Sequence, residues 1–238
     1  MWMDKRWRWH AVPVLATCLL AAGPALAASS YGANQNTGSA VAATADNSGT
    51  QGLVNRAVGV VTQMQKDPQL AQLMQKAKGI YIVPNYGRGA LGIGGQGGSG
   101  VMLSHQDGSW TGPAFYDLGG ISIGLQAGGS AGPMAFLLMS DKAVNEFKTN
   151  NSFSFGAGAG LTIVNYSAHK EASWGKGDII AWSQAKGAYA GASIGVTDIH
   201  WDGGKNHQYY NKKVTPPEVL QGQVTNASAE PLKNALAA

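Results

Sequence analysis

The sequence predicts an α+β fold: a strongly bent, glycine-rich antiparallel β-sheet or small barrel packed against short helices, with a helical segment on its N-terminal side. Three observations carry this expectation. Apolar residues recur at three- and four-residue spacing from Leu53 to Ala77, the period of an amphipathic helix. From Ile80 onward the period becomes two, in β-type residues bounded by turn signals. Glycine supplies 34 of the 238 residues, about twice its usual share of roughly 7%, and 16 of them lie between Gly87 and Gly132.

The elements follow in order. Leu53, Val54, Ala57, Val58, Val61 and Met64 form the stripe of a first helix ending near Lys66. Asp67-Pro68 reads as an N-cap and first helical residue of a second helix, with Leu70, Ala71, Leu73, Met74 and Ala77 as its buried face and Gly79 as its C-terminal stop. Ile80 to Val83 is a strand stopped by Pro84, and 101–103, 121–125 and 135–139 are further short strands. Gly94 to Gly100 is expected to be a flexible bend between them. Asp107-Gly108 is a tight hairpin signal. Ser140 or Asp141 caps a short helix through Phe147. Strands are expected again over 153–161, 179–183, 188–196 and 197–201, then a helix start at Thr215-Pro216 and a soft tail from 223 to 238.

Met1 to His10 carry Lys5, Arg6 and Arg8; Ala11 to Ala22 form an apolar run; Ala25-Leu26-Ala27 gives a small-x-small cleavage pattern. Residues 1–27 are therefore expected to be a secretory signal, 28–52 a disordered tether, 53–222 the domain and 223–238 a tail. Acylation of Cys18, as in a lipoprotein, is the competing reading of the same segment, with Thr17 a poor residue before the cysteine. Cleavage after Ala27 leaves 211 residues with a net charge of +2 and no cysteine. A periplasmic location is the expectation. Such a charge argues against a nucleic-acid binder, and the absence of cysteine excludes disulfide frameworks and thiolate zinc sites.

No catalytic constellation stands out, and the expectation is a non-enzyme without a cofactor or a metal. Gly128-Gly129-Ser130-Ala131-Gly132 and Gly191-Ala192-Ser193-Ile194-Gly195 match G-x-S-x-G, but neither serine sits on a strand-to-helix turn, as a nucleophile elbow requires. Asp198, His200, Asp202 and Gly203 resemble the opening of a calcium loop, yet the twelfth position is Tyr209 instead of a bidentate Glu. A solvated hairpin is expected there. The strands are too short and too interrupted by Asp107, Asp117 and Lys142 for an outer-membrane barrel.

From Ala77 onward the chain resembles the SYLF domain family. The likeness rests on Ala77-Lys78-Gly79-Ile80 with Pro84, on Gly92 to Val101, on Trp110 with Pro113 and Phe115, and on Ser122 to Gly128. It continues through Trp182-Ser183-Gln184-Ala185-Lys186-Gly187, Ala190-Gly191, Asn206, Tyr209-Tyr210 and Thr215-Pro216 before Leu220. The resemblance implies a lipid-binding module without catalytic activity, taking anionic phospholipid head groups. Some fungal members also bind actin, a partner that an exported bacterial protein would not normally meet. The family often carries an aromatic-Ser-Arg-Ser-Lys-Gly run; here Gln184 and Ala185 replace the Arg and the second Ser, while Lys186 and Gly187 remain.

Basic side chains near a surface each add about 1 kcal/mol toward anionic lipid, and aromatic rings suit a membrane interface. The candidate lipid-binding residues are therefore Lys66, Lys76, Lys78, Lys186, Tyr209, Tyr210, Lys212 and Lys213. Trp110, Trp174, Trp182 and Trp201 are expected mainly in the core. An envelope domain that uses the same sheet for protein contacts, indifferent to lipid, is the alternative.

Overall fold

The computed structural model describes residues 49–155, 160–166, 177–184, 186–187 and 198–238, with the side chains of 88–94, 96, 121–130 and 186–187 excepted. The signal segment, most of the tether, the expected strand 188–196, Trp174 and Ser193 lie outside the described residues.

Helix α1 (Gly49–Met64) buries Leu53, Val54, Ala57, Val61 and Met64. It begins inside the segment expected to be tether, because Thr50 and Gly52 are buried with the rest of that face. Asp67 caps α2 (Pro68–Lys76), accepting from the amides of Gln69 and Leu70 with Pro68 in the first turn, as the sequence predicts. The stop differs: α2 ends at an extended Ala77, and Gly79 belongs to the next strand. A Cβ on Gly79 would lie 2.9 Å from Met102 Cε and 3.1 Å from the Leu103 carbonyl oxygen, so close packing, not capping, is what the glycine serves.

The short strands expected over 80–139 are two very long ones, β1 (Gly79–Gln106) and β2 (Ser109–Leu138), joined by the Asp107-Gly108 turn. Both turn residues adopt positive φ, 50° and 76°, which is why the Asp-Gly pair sits there. Strands of 28 and 30 residues far exceed the usual 3–10. Register shifts at Val83/Tyr86, Ala90/Gly92 and Met102/Ser104 break the ladder, and such shifts bend a strand. Pro84 falls at the first of them, where its missing N–H costs no regular ladder bond. Gly94 to Gly100, expected as a bend between strands, is ladder throughout: Gly94 pairs with Ser122 and Gly100 with Tyr116.

The hairpin curls over on itself. The amide of His105 donates to the Lys78 carbonyl at 2.9 Å, bringing the end of β1 beside its beginning. A Cβ on Gly100 would stand 2.5 Å from Tyr81 Cε2 and 2.7 Å from the Ile82 carbonyl oxygen, so bare backbone allows the closure.

The far edge of β2 takes β5 (Ile179–Ser183), β6 (Lys186–Gly187) and β7 (Asp198–Trp201), all antiparallel. One offset serves all three: Ser183 lies opposite Met134, Gly187 opposite Ser130 and Asp198 opposite Gly119. Strand β4 (Ile163–Asn165) runs parallel to β5, and β3 (Ser152–Phe153) pairs with β7, completing a seven-stranded sheet. Ser140 caps α3 (Asp141–Thr149).

Three helices close the fold. Asp202 caps α4 (Gly203–Tyr210), so the expected hairpin after His200 is a strand-to-helix junction. A Thr215–Glu218 capping box starts α5 (Pro216–Leu220). The expected tail instead forms a short 3-10 turn and α6 (Glu230–Ala237), which buries Leu232 and Leu236. Gln65 at the end of α1 donates to the Ala235 carbonyl at 2.6 Å, and burial of two leucines, each worth about 1.5–3 kcal/mol, explains why this segment is ordered.

The core is aromatic at its centre. Tyr81 stacks on Phe136 and meets Tyr116 edge-on, and Phe147 closes the group. Both phenols are satisfied, Tyr81 by the Tyr116 carbonyl at 3.1 Å and Tyr116 by the Phe147 carbonyl at 2.6 Å. Burial pushes both far above the usual phenol range, so they stay neutral.

Candidate functional site

The eight expected contact residues separate into four groups. Lys66, just after α1, and Lys76, the last residue of α2, are exposed, and their ammonium groups form no ion pair or hydrogen bond with described residues. Lys76 lies where a cation also complements the helix dipole. Lys78 is exposed but held, its Nζ 2.5 Å from Asp141 Oδ2 at the start of α3. Lys186 lies in β6 opposite Ala131, and its side chain is outside the described residues. Lys212 and Lys213 are exposed on the connection from α4 to α5. Hydrogen bonds from the Thr215 hydroxyl and amide hold Glu218 below the usual carboxylate range, with a smaller contribution from the charge of Lys212.

Tyr209 and Tyr210 are corrected. They are 5% and 8% exposed, facing inward from α4: Tyr209 packs on Phe115, and Tyr210 donates to the Pro113 carbonyl at 2.8 Å. The reason is the anchoring of α4. Buried Asn206 accepts from the Phe115 amide and donates to the Phe115 and Asp202 carbonyls, which turns the tyrosine face toward the sheet. The Tyr209 hydroxyl is buried without a hydrogen-bond partner among the described residues.

The sequence reading passed over the closed end of the hairpin. There His105 stacks on Trp110, ring centroids 4.6 Å apart and planes 10° from parallel. His105 Nδ1 lies 3.2 Å from the Ala77 carbonyl, between Lys76 and Lys78 in the chain. A carbonyl only accepts, so Nδ1 carries a proton in this contact. Cation, imidazole and indole thus share one end of the sheet. Spacing could not have shown it, since 28 residues separate His105 from Ala77.

A second cluster joins β1, β2 and the start of α4. Ser99 Oγ donates to Asp117 Oδ1 at 2.6 Å, and Lys205 Nζ reaches the same oxygen at 3.1 Å while also bonding Asp202. Burial opposes the charge on Asp202, and the bonds from Lys205 outweigh it, holding the carboxyl below the usual range. The register places His200 beside Asp117 and Ser152 beside His200, an Asp-His-Ser order. No hydrogen bond joins the three among the described residues, because Asp117 is committed to Ser99 and Lys205. The row lacks the two bonds to histidine that define a Ser-His-Asp triad. Ser130 lies within β2 opposite Gly187, not on a strand-to-helix turn. Among the described residues, no three histidine or carboxylate groups are placed to hold a metal. No described helix is long and apolar enough to cross a membrane.

A family profile described as Ysc84, Las17-binding protein actin regulator, matches residues 119–238, half of the chain. The chain belongs to the Ysc84 (SYLF) family. Its curated relatives agree with that membership. Over 167 residues this Ysc84-family chain is 28% identical to Protein YSC84 of Saccharomyces cerevisiae, covering 67% of the chain and 36% of the yeast protein. It is 27% identical over 158 residues to the yeast LAS seventeen-binding protein 3, covering 64% and 34%. The bovine SH3 domain-containing YSC84-like protein 1 is 24% identical over 171 residues, covering 70% and 50%. The chain thus spans between a third and a half of the length of these relatives.

Proposed function

We propose that this Ysc84-family domain docks on anionic phospholipid surfaces, as an exported, non-enzymatic protein, through lysines on the outside of a rigid, curled sheet-and-helix body. The observation that carries this reading is the state of its cations. Lys66, Lys76, Lys212 and Lys213 are exposed with no carboxylate at ion-pair distance among the described residues, whereas Lys205 and Lys233 are neutralised by neighbours. An uncompensated lysine on the surface keeps its full attraction for an anionic leaflet. Tyr209 and Tyr210 have no part in it, and the rigid core keeps the lysines on a preformed surface.

The test is pelleting with vesicles. The full chain, at low salt, is expected to sediment with vesicles of one part phosphatidylglycerol to three parts phosphatidylcholine and to stay in solution with phosphatidylcholine alone. No pelleting with the anionic vesicles contradicts the reading.

A second reading, a protein-interaction domain, is favoured by the family description, Las17-binding protein actin regulator, and by the name of one relative, LAS seventeen-binding protein 3. Capture of a defined protein partner by a domain that ignores both vesicle types is the result that would favour it.

A further inference from the structure

We propose that the closed end of the β1–β2 hairpin, His105 on Trp110 between Lys76 and Lys78, is a proton-gated docking point for an anionic lipid surface. The inference rests on the lipid reading above and adds its regulation. Histidine side chains change charge between about pH 5 and 8. In the observed geometry Nδ1 already donates to the Ala77 carbonyl, so Nε2 is the atom that takes up the additional proton. The incoming charge then lies over the face of Trp110, whose π-cloud attracts a cation.

The charged groups on the elements next to the ring are of both signs. Lys76 and Lys78 flank Ala77, and Asp107 sits in the hairpin turn. Asp141 and Lys142 on α3 are reached through the Lys78–Asp141 pair, with Lys142 Nζ donating to the Gly160 carbonyl. Glu218 on α5 is reached through Gln106, which donates to the Leu220 carbonyl, and is itself bonded by Thr215. Lys212 acts on Glu218, Lys148 on Asp141, and Asp178 on Lys142, so the surrounding charges are mixed in sign, and a proton on His105 adds one positive charge to this end of the sheet. Charge complementarity then commits the occupant to the anionic head groups of a lipid surface.

The experiment is partition of the full chain onto vesicles of one part phosphatidylglycerol to three parts phosphatidylcholine at about pH 5.5 and 7.5. One added surface cation predicts about fivefold tighter partition at the lower pH. The His105→Gln variant is expected to lose the pH response, its binding at about pH 5.5 equalling its own binding at about pH 7.5, whereas a His200→Gln/His207→Gln variant keeps the response. A measurement on the wild-type chain serves if His105→Gln fails to fold. The His105 ring signals in NMR should titrate at higher pH with soluble short-chain phosphatidylglycerol than without it, as linkage requires. Equal wild-type binding at both pH values, a His105→Gln variant that still responds, or an unmoved titration overturns the inference while leaving the lipid reading intact. No binding at either pH overturns both.

Discussion

Two stretches of this chain pair rings with lysines, and the structure assembles them in opposite ways. In Tyr209 to Lys213 the rings and cations are consecutive, yet α4 turns both tyrosines into the core and leaves Lys212 and Lys213 outside. At the hairpin end the partners are far apart in sequence, and folding brings Lys76, Lys78, His105 and Trp110 to one place. Adjacency along the chain therefore does not make a surface. What decides is which backbone groups a neighbouring side chain must satisfy, and Asn206 on the Phe115 backbone decides it for α4.

The sharpest way to break this comparison is to truncate a tyrosine. Tyr210→Ala is expected to cost about 3–5 kcal/mol of stability, the usual range for deleting a large buried ring, plus the bond to Pro113. Denaturant unfolding measures it. A loss in vesicle affinity with stability unchanged would return Tyr210 to the surface.

Cation removal comes next. Lys212→Ala with Lys213→Ala is expected to weaken partition onto phosphatidylglycerol vesicles by about 2 kcal/mol at low salt, roughly 1 kcal/mol for each free lysine. Lys76→Ala with Lys78→Ala should lose only about 1 kcal/mol, because Asp141 already compensates Lys78. Equal losses in the two double variants would show that the Lys78–Asp141 pair does not persist in solution.

A smaller effect of opposite sign is expected at Tyr209. Its hydroxyl is buried without a partner among the described residues, and an unmet buried polar group is destabilising. Tyr209→Phe should raise stability by about 1 kcal/mol or leave it unchanged, read by the shift in denaturation midpoint. A clear loss would show that the hydroxyl is bonded.

The acid limb of stability separates the α1–α2 elbow from both regions. The Tyr166 hydroxyl donates to Asp67 Oδ2 at 2.6 Å, and that bond outweighs the cost of burial in holding the carboxyl below its usual range. A depressed folded-state value gives stability that is complete above the unfolded aspartate value, about 3.9, and is lost as pH falls through the folded one. Tyr166→Phe should flatten that limb in an acid-unfolding series. An unchanged limb would remove Asp67 from it.

The contrast also shows which features were legible in the sequence. Asp67-Pro68, Ser140, Thr215 with Glu218 and Asp107-Gly108 were all readable, because caps and tight turns are set by a few neighbouring residues. Strand length was not. Pro84 and the glycines of 94–100 read locally as interruptions, and only pairing with β2 shows them to lie inside one ladder. Helix α4 was hidden because Gly203 and Gly204 are weak helix formers, and tertiary bonds through Asn206 compensate for them. Leu232 and Leu236 carried a helical spacing of four behind Glu230-Pro231, a signal present in the sequence and passed over as tail. Of the candidate site, the exposed lysines were legible from charge alone, whereas the His105–Trp110 stack depends on a hairpin register and a curl that no local pattern encodes.

The central claim, that free surface lysines on a rigid body hold the domain to anionic membranes, is tested most directly by the salt dependence of vesicle partition. Binding of the full chain to phosphatidylglycerol-containing vesicles should be strong at about 0.02 M salt and nearly lost by about 0.5 M, as the screening length shrinks to a few ångströms. Binding that persists undiminished at high salt, or that never occurs at low salt, would contradict the account.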